Sequence, residues 1–167
     1  VKRLYAWIRS CVPDGATSAD LSTFKSEKFR DEISDYFDKA FLLTYYLWTD
    51  YFLAVDQRAK NMMLRTWDGL IWYITYYDGD TQMGKRNDCF LVYDYTTDRD
   101  TYDAEAGKYA FEGRDSWLWN LVLANLDADL KTQAQALRGV LTTSRVLDML
   151  NVEQAGNWCD RAYNKSG

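Results

Sequence analysis

The sequence predicts an α+β domain, mostly helical, with a central β-hairpin or small antiparallel sheet. Three observations predict it. Apolar residues recur at helical spacing up to about residue 55 and again after residue 116, while between them two short aromatic runs flank Asp68-Gly69. The chain has 167 residues, 47% of them apolar and 16% aromatic, which supports one packed core and excludes a disordered or low-complexity chain. No internal repeat divides it, so residues 1–167 read as a single domain.

Residues 1–18 read as an arm, a short apolar segment closed by the turn Pro13-Asp14-Gly15. Residues 19–55 read as helices. Phe24, Phe29, Ile33 and Phe37 lie five, four and four residues apart, which makes the charged stretch 24–37 a surface helix. Asp38 is placed to cap a second helix running to about Val55, apolar nearly all round and therefore central. Residues 56–95 read as the hairpin and an acidic loop. Asn61–Trp67 and Leu70–Tyr76 are its strands, Asp68-Gly69 its two-residue turn, and Cys89–Tyr93 a further short strand. Residues 96–115 read as irregular. Residues 116–167 read as helices: one capped by Asp115 or Ser116, with Trp117, Leu118, Leu121, Val122 and Leu126 as its stripe, then Asp127–Leu141 and Ser144–Tyr163. Val146, Leu147, Leu150, Val152 and Trp158 are expected to face inward in the last. Trp117 and Trp119 stand two residues apart at a helix start, so at most one points fully inward.

Composition removes several function classes. The chain has no histidine, which excludes imidazole acid/base catalysis, a Ser-His-Asp triad and histidine zinc ligation. Its net charge of −5 resides in residues 78–115, where ten acids face five bases, so direct nucleic-acid binding is disfavoured. The odd set Cys11, Cys89 and Cys159 shows neither a disulfide framework nor a metal motif. The apolar run Ala40–Ala54 contains Thr44, Thr49 and Asp50 and is too short for a membrane span. A start at Val1 and an uncapped end at Asn164-Lys165-Ser166-Gly167 point to a piece of a longer polypeptide.

The chemistry-bearing residues gather around the hairpin. Asp56 and Asn61 form a D-x4-N spacing before it, and Asp78-Gly79-Asp80 follows it. A hairpin brings its entry and exit side by side, so Asn61 and Asp78 should be neighbours, with Asp56 and Asp80 lining the same crevice. Carboxylate and amide oxygens suit Mg²⁺ or Ca²⁺, and a phosphoryl-transfer site sets a base beside metal-holding Asp and Asn. The same letters also serve as turn residues and caps. The hairpin aromatics Trp67, Trp72, Tyr73, Tyr76 and Tyr77 fit cross-strand core packing first and a carbohydrate-stacking platform second.

On Asp56, Asn61, Trp72, Asp78, Asp80 and Gly84, over residues 38–93, the chain resembles protein-kinase-like catalytic segments. It is more similar to CotH-type atypical kinases, where an Asp-x4-Asn loop, a Trp-bearing hairpin and a D-x-D followed by Gly recur. The resemblance implies part of a kinase-like C-lobe, with Asp56 as general base, Asn61 and Asp78 as metal ligands for Mg-ATP, and Asp80 assisting. The chain departs from it in having no histidine before Asp56, no glycine-rich phosphate loop and no anchoring lysine on an earlier strand.

A second resemblance spans about residues 38–121. Tyr45-Tyr46, Asp56-x3-Lys60-Asn61-Met62, Thr66-Trp67-Asp68-Gly69, Trp72, Tyr77-Asp78-Gly79-Asp80-Thr81-x2-Gly84 and Phe111-x-Gly113-x-Asp115-Ser116-x-Leu118-Trp119-Asn120 resemble a block in large virion proteins of crAss-like and podovirus-like gut phages. Lys85-Arg86-Asn87-Asp88 stands where that block has Asn-Asn. This resemblance implies a structural module of a phage tail or virion, assembled in the host cytoplasm. Its partners are then other virion subunits or the rest of its own parent chain, and a divalent cation would steady the acidic loop. The alternative it leaves is a CotH-like phosphotransferase.

Overall fold

Side chains at the start of each segment decide where helix begins. The computed structural model describes residues 1–17, 20–52, 54–58, 61–79 and 116–155, with backbone alone at 55, 56 and 150–155. Six helices and one hairpin occur among them: α1 (Lys2–Ser10), α2 (Glu27–Glu32), α3 (Lys39–Tyr51), β1 (Met62–Thr66), β2 (Trp72–Tyr76), α4 (Trp117–Asn125), α5 (Asp127–Val140) and α6 (Thr143–Ala155). The chain is α+β and mostly helical, with a two-stranded antiparallel sheet. Among the described residues no helix is long and apolar enough to cross a membrane. The expected strand Cys89–Tyr93, the loop from residue 80 and the connection through 115 lie outside the described residues.

The first segment is a core element where an arm was expected. Leu4 and Trp7 of α1 are buried, and the Trp7 ring stacks on Tyr36 at 4.2 Å and on Phe29 at 5.4 Å. Trp7 Nε1 donates to Glu32 Oε2 at 3.0 Å, so the indole is buried with its polar atom satisfied.

The stretch 24–37 departs from a single surface helix. Ser26 caps α2 late, its hydroxyl accepting from Phe29 N, and the chain tightens into a 3-10 turn over Ile33–Asp35. Phe37 is then drawn into a parallel bridge with Trp72, and Tyr36 O accepts from Trp72 N at 2.7 Å. A helix cannot continue through residues pairing with a strand, and Phe29, Ile33 and Phe37 are consequently core residues.

Asp38 caps α3 as the sequence indicates, accepting from Phe41 N at 2.9 Å. The helix stops at Tyr51, short of Val55, and is one-sided. Leu42, Leu43, Tyr45, Tyr46 and Thr49 are buried, whereas Phe41, Trp48 and Tyr51 are exposed. Its inner face meets β2, α5 and the 3-10 turn Val55–Arg58. Lys39 pairs with Asp129 at 2.9 Å and Gln133 Nε2 donates to Thr44 Oγ1 at 2.9 Å, tying α3 to α5.

Ser116 caps α4, and the two tryptophans diverge as their spacing requires. Trp119 is buried against Tyr45 and Tyr46, while Trp117 is half-buried beneath the Arg9 guanidinium at 4.5 Å. The Asn125 amide binds α4 to the segment before α2, donating to Phe24 O and accepting from Ser26 N. In α6, Leu147 is half exposed, not inward as its helical spacing suggests.

The hairpin forms in a shifted register. Met62 pairs with Tyr76, Leu64 with Ile74 and Thr66 with Trp72. A two-residue turn at Asp68-Gly69 would instead set Trp67 opposite Leu70. The connection is a five-residue loop, 67–71, because Asp68 Oδ1 accepts from Leu70 N at 2.7 Å, Ile71 N at 2.9 Å and Thr66 Oγ1 at 3.1 Å. Gly69 takes the positive φ of +77° that this loop requires. The shift matters because a change of one residue in pairing exchanges which side chains share a face. Trp72 and Ile74 on β2 enter the core with Met62 packed against it, while Leu64, though paired with Ile74, is exposed.

Candidate functional site: the closed base of the hairpin

The expected juxtaposition of the hairpin ends is present, and Gln57 makes it. Asn61 directly precedes β1, Asp78 lies two residues after β2, and Asn61 Nδ2 donates to Asp78 O at 3.2 Å. The contact runs through the Asp78 main-chain carbonyl. Gln57, 1% exposed, donates from Nε2 to Tyr77 O at 2.6 Å and to the same Asp78 O at 2.9 Å. Two side-chain amides therefore converge on one carbonyl. Asp78 sits at φ 55°, a left-handed conformation that costs a non-glycine residue about 1 kcal/mol and persists where neighbours hold it.

Tyr45 locks Gln57 from beneath. Its hydroxyl donates to Gln57 O at 2.8 Å and lies 3.4 Å from Gln57 Oε1. Burial, with Tyr76 nearby, raises the Tyr45 hydroxyl pKa above the ordinary phenol value, so it remains a donor throughout the physiological range. Burial raises Tyr76 as well.

The same turn is pinned from a second side by Arg58. Its guanidinium is buried 4.6 Å from the centre of the Tyr46 ring, with Nη2 3.4 Å from Asp50 Oδ1. Trp119 Nε1 donates to Arg58 O at 3.1 Å. Arg58 Nε and Trp72 Nε1 are buried nitrogens without a hydrogen-bond partner among the described residues. Arg58 thus contributes through its stacked plane and its Asp50 pairing, and Trp119 ties α4 to the turn.

Of the four residues expected in one crevice, the structure brings Asn61 and Asp78 together. The backbone of Asp56 lies in the 3-10 turn Val55–Arg58, one residue before Gln57. Its side chain, together with Asp80 and Gly84, lies outside the described residues. Trp72 is a core residue of β2. Among the described residues no three His, Cys, Asp or Glu side chains are grouped to hold a metal ion. With Nδ2 given to Asp78 O, Asn61 has Oδ1 to offer a cation, and Asp78 has its carboxylate.

Spacing alone does not single out Gln57, Arg58, Tyr45 or Trp119. Gln57 and Arg58 occupy two of the unspecified positions of the D-x4-N motif. The available signal is chemical: long polar side chains just after the end of an apolar helix have to be partnered if they are buried. No known protein family, curated protein or solved structure matches the chain.

Proposed function

We propose that this chain is a structural interaction module of a bacteriophage tail or virion assembly, working among other virion subunits or with the rest of its parent chain. The observation that carries the reading is the convergence of the Gln57 and Asn61 amides on Asp78 O. That arrangement directs the polar groups of the crevice at the protein's own backbone and holds the start of the acidic loop in place. Exposed apolar side chains on the hairpin support it too: Trp67 and Leu70 in its loop, and Met63 and Leu64 on opposite faces of β1. A Mg²⁺ or Ca²⁺ ion held by the Asn61 and Asp78 oxygens, with Asp80, would stabilise the loop further.

Two experiments test it. The protein is expected among the stoichiometric components of purified particles by mass spectrometry, and its absence overturns the reading. In thermal denaturation, Mg-ATP is expected to raise Tm no more than Mg²⁺ alone. The proximity of Asn61 to Asp78 favours one second reading, a CotH-like phosphotransferase using Mg-ATP with Asp56 as base. That reading requires a nucleotide-specific rise in Tm and ATP turnover abolished by Asp56→Ala in a variant that still folds.

A further inference from the structure

We infer that the outer edge of β1 pairs antiparallel with β1 of a second copy of this chain, about a two-fold axis at Leu64, joining the two hairpins into one four-stranded sheet. The inference goes beyond the assembly-module reading and does not depend on it.

Main-chain direction fixes which groups that edge offers. Trp72 N donates to Tyr36 O at 2.7 Å and Trp72 bridges Phe37, so its backbone faces away from β1. Hydrogen-bonded and non-hydrogen-bonded pairs alternate along an antiparallel ladder. Thr66–Trp72, Leu64–Ile74 and Met62–Tyr76 are therefore the non-hydrogen-bonded pairs, and the N–H and C=O groups of Met62, Leu64 and Thr66 point outward from the sheet. Among the described residues these groups have no hydrogen-bond partner. Exposure agrees: Met63, Leu64 and Arg65 are consecutive and all exposed, so both faces of the strand are open, whereas no residue of β2 is exposed. An open edge is a template for a further strand unless proline, lysine or a bulge blunts it. β1 has no proline or lysine, its pairing with β2 is continuous, and its single charge is Arg65.

The strand is its own complement. An axis at Leu64 sets Leu64 against Leu64, Met62 against Thr66 and Met63 against Arg65, so every outward-pointing backbone group meets another. Arg65 then lies opposite an apolar side chain, whereas an axis at Arg65 would oppose two arginines, which is destabilising. An axis at Met63 would leave Thr66 outside the strand overlap. The same axis covers the exposed apolar residues on both faces of the edge. Leu64, 36% exposed, gains its counterpart at a Cα separation of about 5.5 Å, and Met63, 52% exposed, gains the methylene stem of Arg65 from the copy. Trp67, 83% exposed, comes opposite Asn61 of the copy, beside the base of its hairpin.

The test is the oligomeric state of the purified chain by sedimentation equilibrium, which is expected to show a dimer. Leu64→Lys opposes two ammonium groups at an exposed position and is expected to weaken association by roughly tenfold or more while the circular-dichroism spectrum is retained. Disulfide trapping under mild oxidation reads the register, with the wild type and its Cys11, Cys89 and Cys159 as baseline. Leu64→Cys is expected to link to itself, because opposed Cα atoms about 5.5 Å apart lie within disulfide reach. Met63→Cys and Arg65→Cys are expected to link to each other when the two proteins are mixed, and neither to itself. A monomer throughout the concentration series, a folded Leu64→Lys variant that dimerises as the wild type does, or Met63→Cys linking to itself as readily as to Arg65→Cys overturns the inference. If Leu64→Lys does not fold, the trapping pattern decides: self-linkage of Leu64→Cys with mixed linkage of the other two supports the pairing, and its absence overturns it.

Discussion

Replacing Gln57 by leucine keeps the buried volume at the base of the hairpin and removes its hydrogen bonds. The side chain is 1% exposed and makes two good donations, 2.6 Å to Tyr77 O and 2.9 Å to Asp78 O. Each such bond contributes about 1 kcal/mol net, so Gln57→Leu is expected to cost about 2 kcal/mol. The Tyr45 hydroxyl still reaches Gln57 O, and Asn61 still reaches Asp78 O, which keeps the loss from growing further. At roughly 2–4 °C per kcal/mol for a domain of this size, Tm falls by about 4–8 °C, measurable by circular dichroism or urea titration. Gln135→Leu, at an exposed position of α5, is the control and is expected to change Tm by less than about 1 °C. Gln57→Glu adds a sign. A carboxylate facing two carbonyls in a buried site has its pKa raised, so that variant gains stability as pH falls and loses it as pH rises through the raised value. If Gln57→Leu melts with the wild type, or Gln57→Glu shows no such pH dependence, Gln57 does not hold the hairpin closed.

Trp7→Ala removes an indole stacked between Phe29 and Tyr36 and is expected to cost about 3–5 kcal/mol, lowering Tm by about 6–20 °C; an unchanged Tm would return residues 2–10 to the status of a dispensable arm. Burial, with Glu32 beside it, pushes the Cys11 thiol up to about 11. Iodoacetamide at pH 8 is therefore expected to modify the Cys11 peptide about a hundredfold more slowly in the native protein than in urea, and comparable rates would refute the burial. By the same shift the fold loses stability as pH rises from about 9 toward the raised value. The Leu70 N–H, then the Ile71 N–H, hold the Asp68 carboxyl below its ordinary range. Its contribution is present above the usual carboxylate pKa of about 3.9 and is lost as pH falls through the lower folded value. Amide shifts of Leu70 and Ile71 should report that acid transition, Asp68→Ala should abolish it, and a persistent transition in the variant would assign it elsewhere.

The sequence by itself determined what is local. A short polar side chain before an apolar run starts a helix wherever it occurs, which is why Asp38, Ser116 and the hairpin around Asp68-Gly69 were legible. The neighbour relation of Asn61 and Asp78 was legible too, because an antiparallel pair returns to its own starting point whatever surrounds it. Tertiary structure decided the rest. Whether Phe29, Ile33 and Phe37 face solvent or core depended on Trp7 and Trp72, which lie far from them in sequence, and no period within 24–37 carries that information. The hairpin register followed from how many backbone N–H groups one Asp68 oxygen collects, a matter of geometry that residue type leaves open. Gln57 acquires its role only once the turn folds onto the exit of β2, because an amide shows its partners when burial removes water as an alternative.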